Sequence, residues 1–288
     1  MVQLIDCETI ANEILEEVRA EVQTLPSQPH LAVILVGEDP ASKVYVRNKE
    51  KRCESVGINS TTITLPDPVS VEEIKNTIEQ LNAREDINGI LLQLPLPKHL
   101  ASYENELIQT IHHLKDVDGL TYENSARLLN NVEPRLDPCT PSCCMEILKR
   151  TIGDLEGLDV AMVGRSRLVG FPLQMLLTHA NATVTLCHSR TQALRLHTKM
   201  ADVVITAIGR ANYFDDSYFS SMTTIVDVGM NRDENGKLCG DVNRQSLLAS
   251  ELNKVQLTPV PRGIGQLTTT MLMVNTLKAY HIQQKKGD

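Results

Sequence analysis

Lys49 follows Tyr45 by four residues in a segment whose punctuation predicts a helix over 40–56, so the two side chains share a face. A lysine there is either a solvated surface residue or, if buried, an acid/base group, because desolvation disfavours the ammonium form. Gln93 closes a short aliphatic run. Strand ends of this kind are where parallel α/β sheets collect ligands, and the plainer reading is a capped strand end. Asp116 and Asp118 lie in KDVDGL, readable as carboxylates for a site or as an Asp-Gly turn. A calcium loop is excluded, since its fifth position lacks Asn or Asp and its twelfth lacks Glu.

A second set of residues has the chemistry of a phosphate site. Gly164-Arg165-Ser166-Arg167-Leu168-Val169-Gly170 joins a predicted strand to a predicted helix. A Gly-rich turn there can set a nucleotide phosphate against free N–H groups and the positive end of the helix dipole. The spacing is not G-x-G-x-x-G, so an ordinary βα loop fits equally well. The following strand ends in His188-Ser189-Arg190-Thr191, where an NAD-selective protein places an acid for the ribose hydroxyls. A hydroxyl and a guanidinium, with Arg165 nearby in the first loop, suit instead the 2′-phosphate of NADP.

Other clusters read as structural. His112 and His113 are adjacent, so on a helix they diverge and make a poor ligand pair, and Cys139, Cys143 and Cys144 lack a second group at zinc spacing; no metal site is expected. No G-x-S-x-G, H-E-x-x-H or Walker A sequence occurs. The seven cysteines form no framework, which predicts reduced thiols in a reducing compartment. The start, MVQLIDCETI, has no basic and apolar leader pattern, and the longest aliphatic runs fall far short of the ~20 residues of a membrane helix. A cytoplasmic protein without membrane contact is the expectation. A net charge of −8 and 3% aromatics argue against nucleic acid as a partner and predict an aliphatic core.

The elements that must position these residues alternate along 288 residues, enough chain for two domains. Ile10, Ile14, Leu15, Val18 and Val22 mark an amphipathic helix, and 31–36 a strand covered on both faces. Asp39-Pro40 starts the helix that carries Tyr45 and Lys49, and Gly57 stops it. A strand near 61–65 follows, then a helix with the capping box Ser70 and Glu73, then a strand at 89–92. After PCTP at 138–141, strands are expected at 160–163, 183–187, 203–207, 224–228 and 255–258. Such alternation predicts a doubly wound parallel sheet. A helix from 267 to about 283 ends the pattern, and periodicity does not say which domain it packs on.

In order along the chain, VGEDPASKVYVRNKEKRCESVGI, GILLQLPLP, KDVDGL, PCTP, VGRSRLVGFP, ATVTLCHSRT, VDVGMN, GDV and TPVPRGIGQLT resemble one family. It is the bifunctional methylenetetrahydrofolate dehydrogenase/cyclohydrolase family of the FolD type. The resemblance implies an α/β catalytic domain over 1–141, completed by 266–288, a Rossmann-type NADP domain over 142–265, and a cleft between them. It implies that the last helix returns to the first domain and that the protein is a homodimer. It also implies two reactions on a folate substrate: NADP⁺ oxidises 5,10-methylenetetrahydrofolate to the methenyl cation, which water opens to 10-formyltetrahydrofolate for one-carbon metabolism and purine biosynthesis.

By position, Lys49 matches the catalytic lysine, Tyr45 the tyrosine that packs on folate, Gln93 the glutamine that tunes the lysine, and Asp118 the aspartate that holds the pterin. Arg165 and Ser189 match the contacts to the 2′-phosphate, with Gly164, Ser166, Gly170, Arg190 and Thr268 completing the expected cofactor set. Three departures stand out. Arg262 replaces a glycine of PVPGGVGPMT, Phe171 replaces a lysine in the nucleotide loop, and Thr121–Leu128 replaces the run after VDGF. They leave open a dehydrogenase with weak hydrolase activity, or a folate- or nucleotide-binding paralogue.

Overall fold

A computed structural model describes residues 1–285. In chain order it begins with β1 (Val2–Leu4), α1 (Cys7–Val22), β2 (His30–Val36), α2 (Pro40–Val56), β3 (Asn59–Leu65), α3 (Val71–Ala83) and β4 (Gly89–Leu92). Helices α4 (Glu104–Thr110), α5 (Tyr122–Leu129) and α6 (Cys139–Thr151) lead to β5 (Asp159–Val163), α7 (Gly170–His179), β6 (Thr183–Cys187), α8 (Leu194–Met200) and β7 (Val203–Thr206). The remainder is β8 (Thr224–Asp227), β9 (Asn231–Arg232), β10 (Leu238–Cys239), α9 (Arg244–Ala249), β11 (Val255–Leu257) and α10 (Ile264–Gln284).

These elements form two compact units. The first comprises Glu13–Cys139 and the chain from Thr269 onward. Its three strands are parallel in the order β3-β2-β4 and begin a core through Ala32, Ile34, Ile74, Ile78 and Ile90. Helix ends follow local chemistry. Asp39 accepts the Ser42 N–H at 2.7 Å to start α2, and Gly57, at φ +80°, closes it in a left-handed turn that an L side chain resists. Ser70 and Glu73 form the expected capping box of α3. The other end of α3 is capped from a distance: the buried Lys115 ammonium donates to the carbonyls of Leu81, Asn82 and Arg84 at 3.2, 2.9 and 2.6 Å.

Helix α10 is tied to this unit by its C-terminal turns. Gln283 donates to the carbonyls of Asn88 and Leu114, Tyr280 bonds Ser27, and the His281 ring meets Glu21 at 2.7 Å. These contacts settle where the last helix packs, which periodicity left open.

The second unit comprises Met1–Asn12 and Thr140–Thr268. Its six parallel strands run β1-β11-β8-β7-β5-β6. Strand β1 was not foreseen, and residues 1–12 group here, whereas the sequence placed them with the first domain. Only three residues long, β1 has too little pattern to read; it is held by register against Val255–Leu257 and by the terminal ammonium on Leu252 O and Asn253 Oδ1. The core of this unit is aliphatic apart from two residues that depart from the expectation, the fully buried Phe214 and Phe219.

Among the described residues, no helix is long and apolar enough to cross a membrane, and no group of His, Cys, Asp or Glu has the arrangement of a metal site. All seven cysteines are free, and burial pushes the Cys7, Cys53 and Cys144 thiols up to about 12. His112 and His113 lie beyond α4 rather than on a helix, so their rings stack at 4.7 Å instead of diverging.

Candidate active site

The first unit places Lys49 on the inward stripe of α2, between the buried Val46 and Cys53. Its Nζ donates to Gln93 Oε1 at 2.8 Å, while Gln93 Nε2 donates to Leu94 O at 2.5 Å. The amide is thereby fixed with its oxygen toward the amine. Gln93 itself is buried, and its backbone N–H continues the ladder onto Ile34 O at 2.9 Å just past β4. Burial is the main influence on Lys49 and holds its pKa below the ordinary 10.5, against the opposing field of Asp118. Tyr45, one turn earlier, remains exposed at 58%. The shared face thus presents one inward amine and one open aromatic ring.

The two aspartates of the turn part company. Asp116 is buried and structural: it accepts the Thr121 N–H at 2.7 Å and Asn124 Nδ2 at 3.0 Å. Within the Thr121–Leu128 run, Thr121 also caps α5 and Asn124 also binds His113 O at 2.8 Å. Asp118 instead faces the field of Lys49. Burial raises its pKa, opposed first by the lysine charge. The Cys139 thiol also favours its charged form.

Asn275 of α10, which the sequence did not single out, braces this turn. Its Nδ2 donates to Val117 O and Asp137 O, both at 2.8 Å, joining the segment before Asp118 to the one before Cys139. Gly119 permits the approach, because a Cβ there would lie 2.5 Å from the carbonyl carbon of Asp137. Replacing Asn275 with alanine strands both carbonyls, an expected loss of about 2 kcal/mol or more. Calorimetry should show a midpoint lower by about 4–8 °C; an unchanged midpoint would contradict the brace.

In the second unit, β5 and β6 pair with Val163 opposite Cys187, so Arg165 and Ser189 each stand two residues beyond neighbouring strand ends. Arg165, Ser189 and Arg190 are exposed, and among the described residues neither arginine is held in an ion pair. Gly164, at φ +132°, would place a Cβ 2.4 Å from Ala207 O, and a Cβ on Gly170 would lie 2.2 Å from Gly164 O. The turn is therefore built from backbone packed on backbone. Ser166 Oγ accepts the Val169 and Gly170 N–H groups at 3.1 and 3.4 Å, leaving its own hydroxyl proton to donate. Thr268 Oγ1 donates to Ile264 O at 3.1 Å in the first turn of α10. Exposed, unpaired guanidinium groups over a tight βα turn fit a phosphorylated dinucleotide.

Arg262 adopts φ +74°, a left-handed conformation that costs an L residue about 1–2 kcal/mol. Glycine relieves this strain, but its extra freedom in the unfolded chain cancels part of the gain. Arg262→Gly is expected to stabilise the protein by about 0.5–1 kcal/mol, seen as a raised thermal midpoint. A lowered midpoint would show that the guanidinium has a compensating structural role.

Known proteins align with both units. The catalytic domain of the tetrahydrofolate dehydrogenase/cyclohydrolase model matches residues 5–118, and its NAD(P)-binding domain matches 138–284. The bifunctional protein FolD of Lachnoclostridium phytofermentans is 45% identical over 279 residues, 96% of each chain. The bifunctional FolD crystal structure from Campylobacter jejuni superposes with a TM-score of 0.91 at 38% identity, covering 98% of this chain and 99% of that one. The Trypanosoma brucei enzyme, solved with NADP and an inhibitor, gives 0.86 at 30% identity over 99% of both chains. Two domain models in order and relatives matched along almost their whole length place this chain in the tetrahydrofolate dehydrogenase/cyclohydrolase family.

Proposed function

We propose that the chain oxidises 5,10-methylenetetrahydrofolate to the 5,10-methenyl cation and hydrolyses that cation to 10-formyltetrahydrofolate. The observation that carries the reading is the half-buried Lys49 amine bonded at 2.8 Å to a neutral amide, a base held without an ion-pair partner on its hydrogen-bond acceptor. The methylene carbon gives up a hydride to bound NADP⁺, the chemistry which that cofactor supplies.

The chain's own residues do the rest. Arg165, Ser189 and Arg190 hold the 2′-phosphate; Gly164, Ser166 and Gly170 form the turn under the pyrophosphate, and Thr268 completes the set. Asp118 accepts hydrogen bonds from the pterin ring, against which Tyr45 packs. Gln93 keeps the lone pair of Lys49 available. As water adds its oxygen to the cationic carbon, Lys49 takes the water proton. Cleavage of the bond from that carbon to N5 then leaves the formyl group on N10, with one proton released overall. The family resemblance extends the proposal to a cytoplasmic homodimer that supplies one-carbon units for purine biosynthesis. It also supports functional domains at 1–141 with 266–288 and at 142–265, apart from the strand that residues 2–4 add to the second unit.

The test is a two-wavelength assay with 5,10-methylenetetrahydrofolate and either NADP⁺ or NAD⁺. NADPH formation without build-up of methenyl product is the expected result. Equal build-up of both products would remove the hydrolase half, and no reduction with either cofactor would remove the enzyme reading.

A further inference from the structure

Two of the motifs that mark the family, VDVGMN and GDV, contribute no residue to the roles above, yet the structure brings their aspartates together. Asp227, 3% exposed at the end of β8, accepts the N–H groups of Gly229, Asp241 and Val242 at 3.0, 3.0 and 2.9 Å and the Thr206 hydroxyl at 3.2 Å. Asp241, fully buried, reaches the loop after β7. Its Oδ2 accepts the N–H groups of Ile208 and Gly209 at 2.6 and 3.2 Å. Its Oδ1 accepts the Arg210 N–H at 2.8 Å and Asn231 Nδ2 at 2.9 Å. The motif glycines make room: a Cβ on Gly229 would lie 2.4 Å from Asp241 Oδ1, and one on Gly240 would overlap Asp227 Oδ2.

The place of this loop in the sheet gives the arrangement a function. Chain order reverses at β5, which has β6 on one side and β7 on the other. Dinucleotides lie in the crevice outside the strand ends at such a reversal. The 2′-phosphate residues follow β6, so the adenosine half lies on that side and the nicotinamide half on the β7 side. Loop 207–210 is the β7 wall, and its Ala207 N–H donates to Val163 O at 2.9 Å beside the Gly164 turn. Three consecutive N–H groups are an anion-binding concavity, and here an internal carboxylate fills it. The loop therefore presents a fixed shape to the cofactor rather than free donors.

We propose that Asp241, supported by Asp227, is a positioning residue that sets the nicotinamide wall of the dinucleotide crevice. The proposal rests on the NADP-dependent reading above. Asp241→Asn tests it, because both carboxylate oxygens accept backbone N–H groups and either amide orientation opposes one donor with another. Dehydrogenase kcat should fall about tenfold or more. Affinity for 2′,5′-ADP, which probes only the adenosine half, and methenyl-folate hydrolysis should stay within about twofold.

Unchanged dehydrogenase kinetics would overturn the proposal. So would a parallel loss of hydrolysis, 2′,5′-ADP binding and thermal midpoint, the signature of a merely structural role. If Asp241→Asn does not fold, Gly209→Val applies the same test from the surface. Gly209 has φ +66° and open space around its Cβ position, so only the loop conformation is strained. A folded Gly209→Val with unchanged dehydrogenase kcat would overturn the proposal as well. Failure of the parent reading is separately visible, since the unmodified protein would then not reduce NADP⁺.

Discussion

Lys49→Ala is expected to lower hydrolysis of 5,10-methenyltetrahydrofolate by about a hundredfold or more, the range for losing a positioned acid/base group. Gln93 Oε1, left without the ammonium or amine it faces, has no proton to move, and among the described residues no other side chain bonded to it can take the water proton. Dehydrogenation depends chiefly on holding two reactants together, so it should suffer less. A folded variant with undiminished hydrolysis would refute the role.

The pKa direction adds a pH signature. Burial lowers the pKa of Lys49 from 10.5, so hydrolysis should rise with pH to a plateau whose midpoint lies below the lysine reference value. Gln93→Glu adds a negative charge at 2.8 Å and should move that midpoint upward. The same shift sets a stability cost. Between the lowered folded value and 10.5 the unfolded state binds more protons, so stability increases with pH through that window. Below the folded value the cost is fully present. Lys49→Met, which removes the buried charge, should therefore be more stable than the parent near neutral pH while losing hydrolysis. Equal or lower stability would mean that the bond to Gln93 and the field of Asp118 offset the cost of burying the ammonium.

Arg165→Ala should weaken NADP binding by about 1.5–3 kcal/mol, a factor of roughly 10 to 150, the range for hydrogen bonds to a charged group. The same variant should use NAD little differently, because NAD carries no 2′-phosphate for the guanidinium to meet. Kinetics with both cofactors decide the point. An equal loss for the two would place Arg165 on a part of the dinucleotide that they share.

Much of this was legible because local chemistry and periodicity agreed. Asp39-Pro40 and Gly57 bounded α2, Ser70 and Glu73 began α3, and continuous aliphatic runs marked strands buried on both faces. Each signal is enforced within one or two turns of chain, so sequence neighbours carry it. Spacing also brought Tyr45 and Lys49 to one turn of helix, and the aliphatic runs before them placed Gln93 and the Gly164 turn at strand ends. Strand β1 escaped because three residues carry no period, and its place depends on a partner some 250 residues away.

By itself the sequence determined the α/β alternation, the family resemblance, and the residue types available for a base, a pterin anchor and a phosphate site. Only the tertiary structure decided which of the paired possibilities held. Lys49 and Lys115 are both lysines in recognisable motifs; one turns inward to an amide as a lone amine, the other caps three carbonyls at the end of α3. Asp116 and Asp118 share a turn, yet one is saturated by Thr121 and Asn124 while the other faces the lysine. Asn275, Asp227 and Asp241 acquire their parts from carbonyls and N–H groups distant in sequence. The reason is physical: a side chain's charge state and bonding depend on what is buried with it, and burial is set by long-range packing rather than by neighbours along the chain.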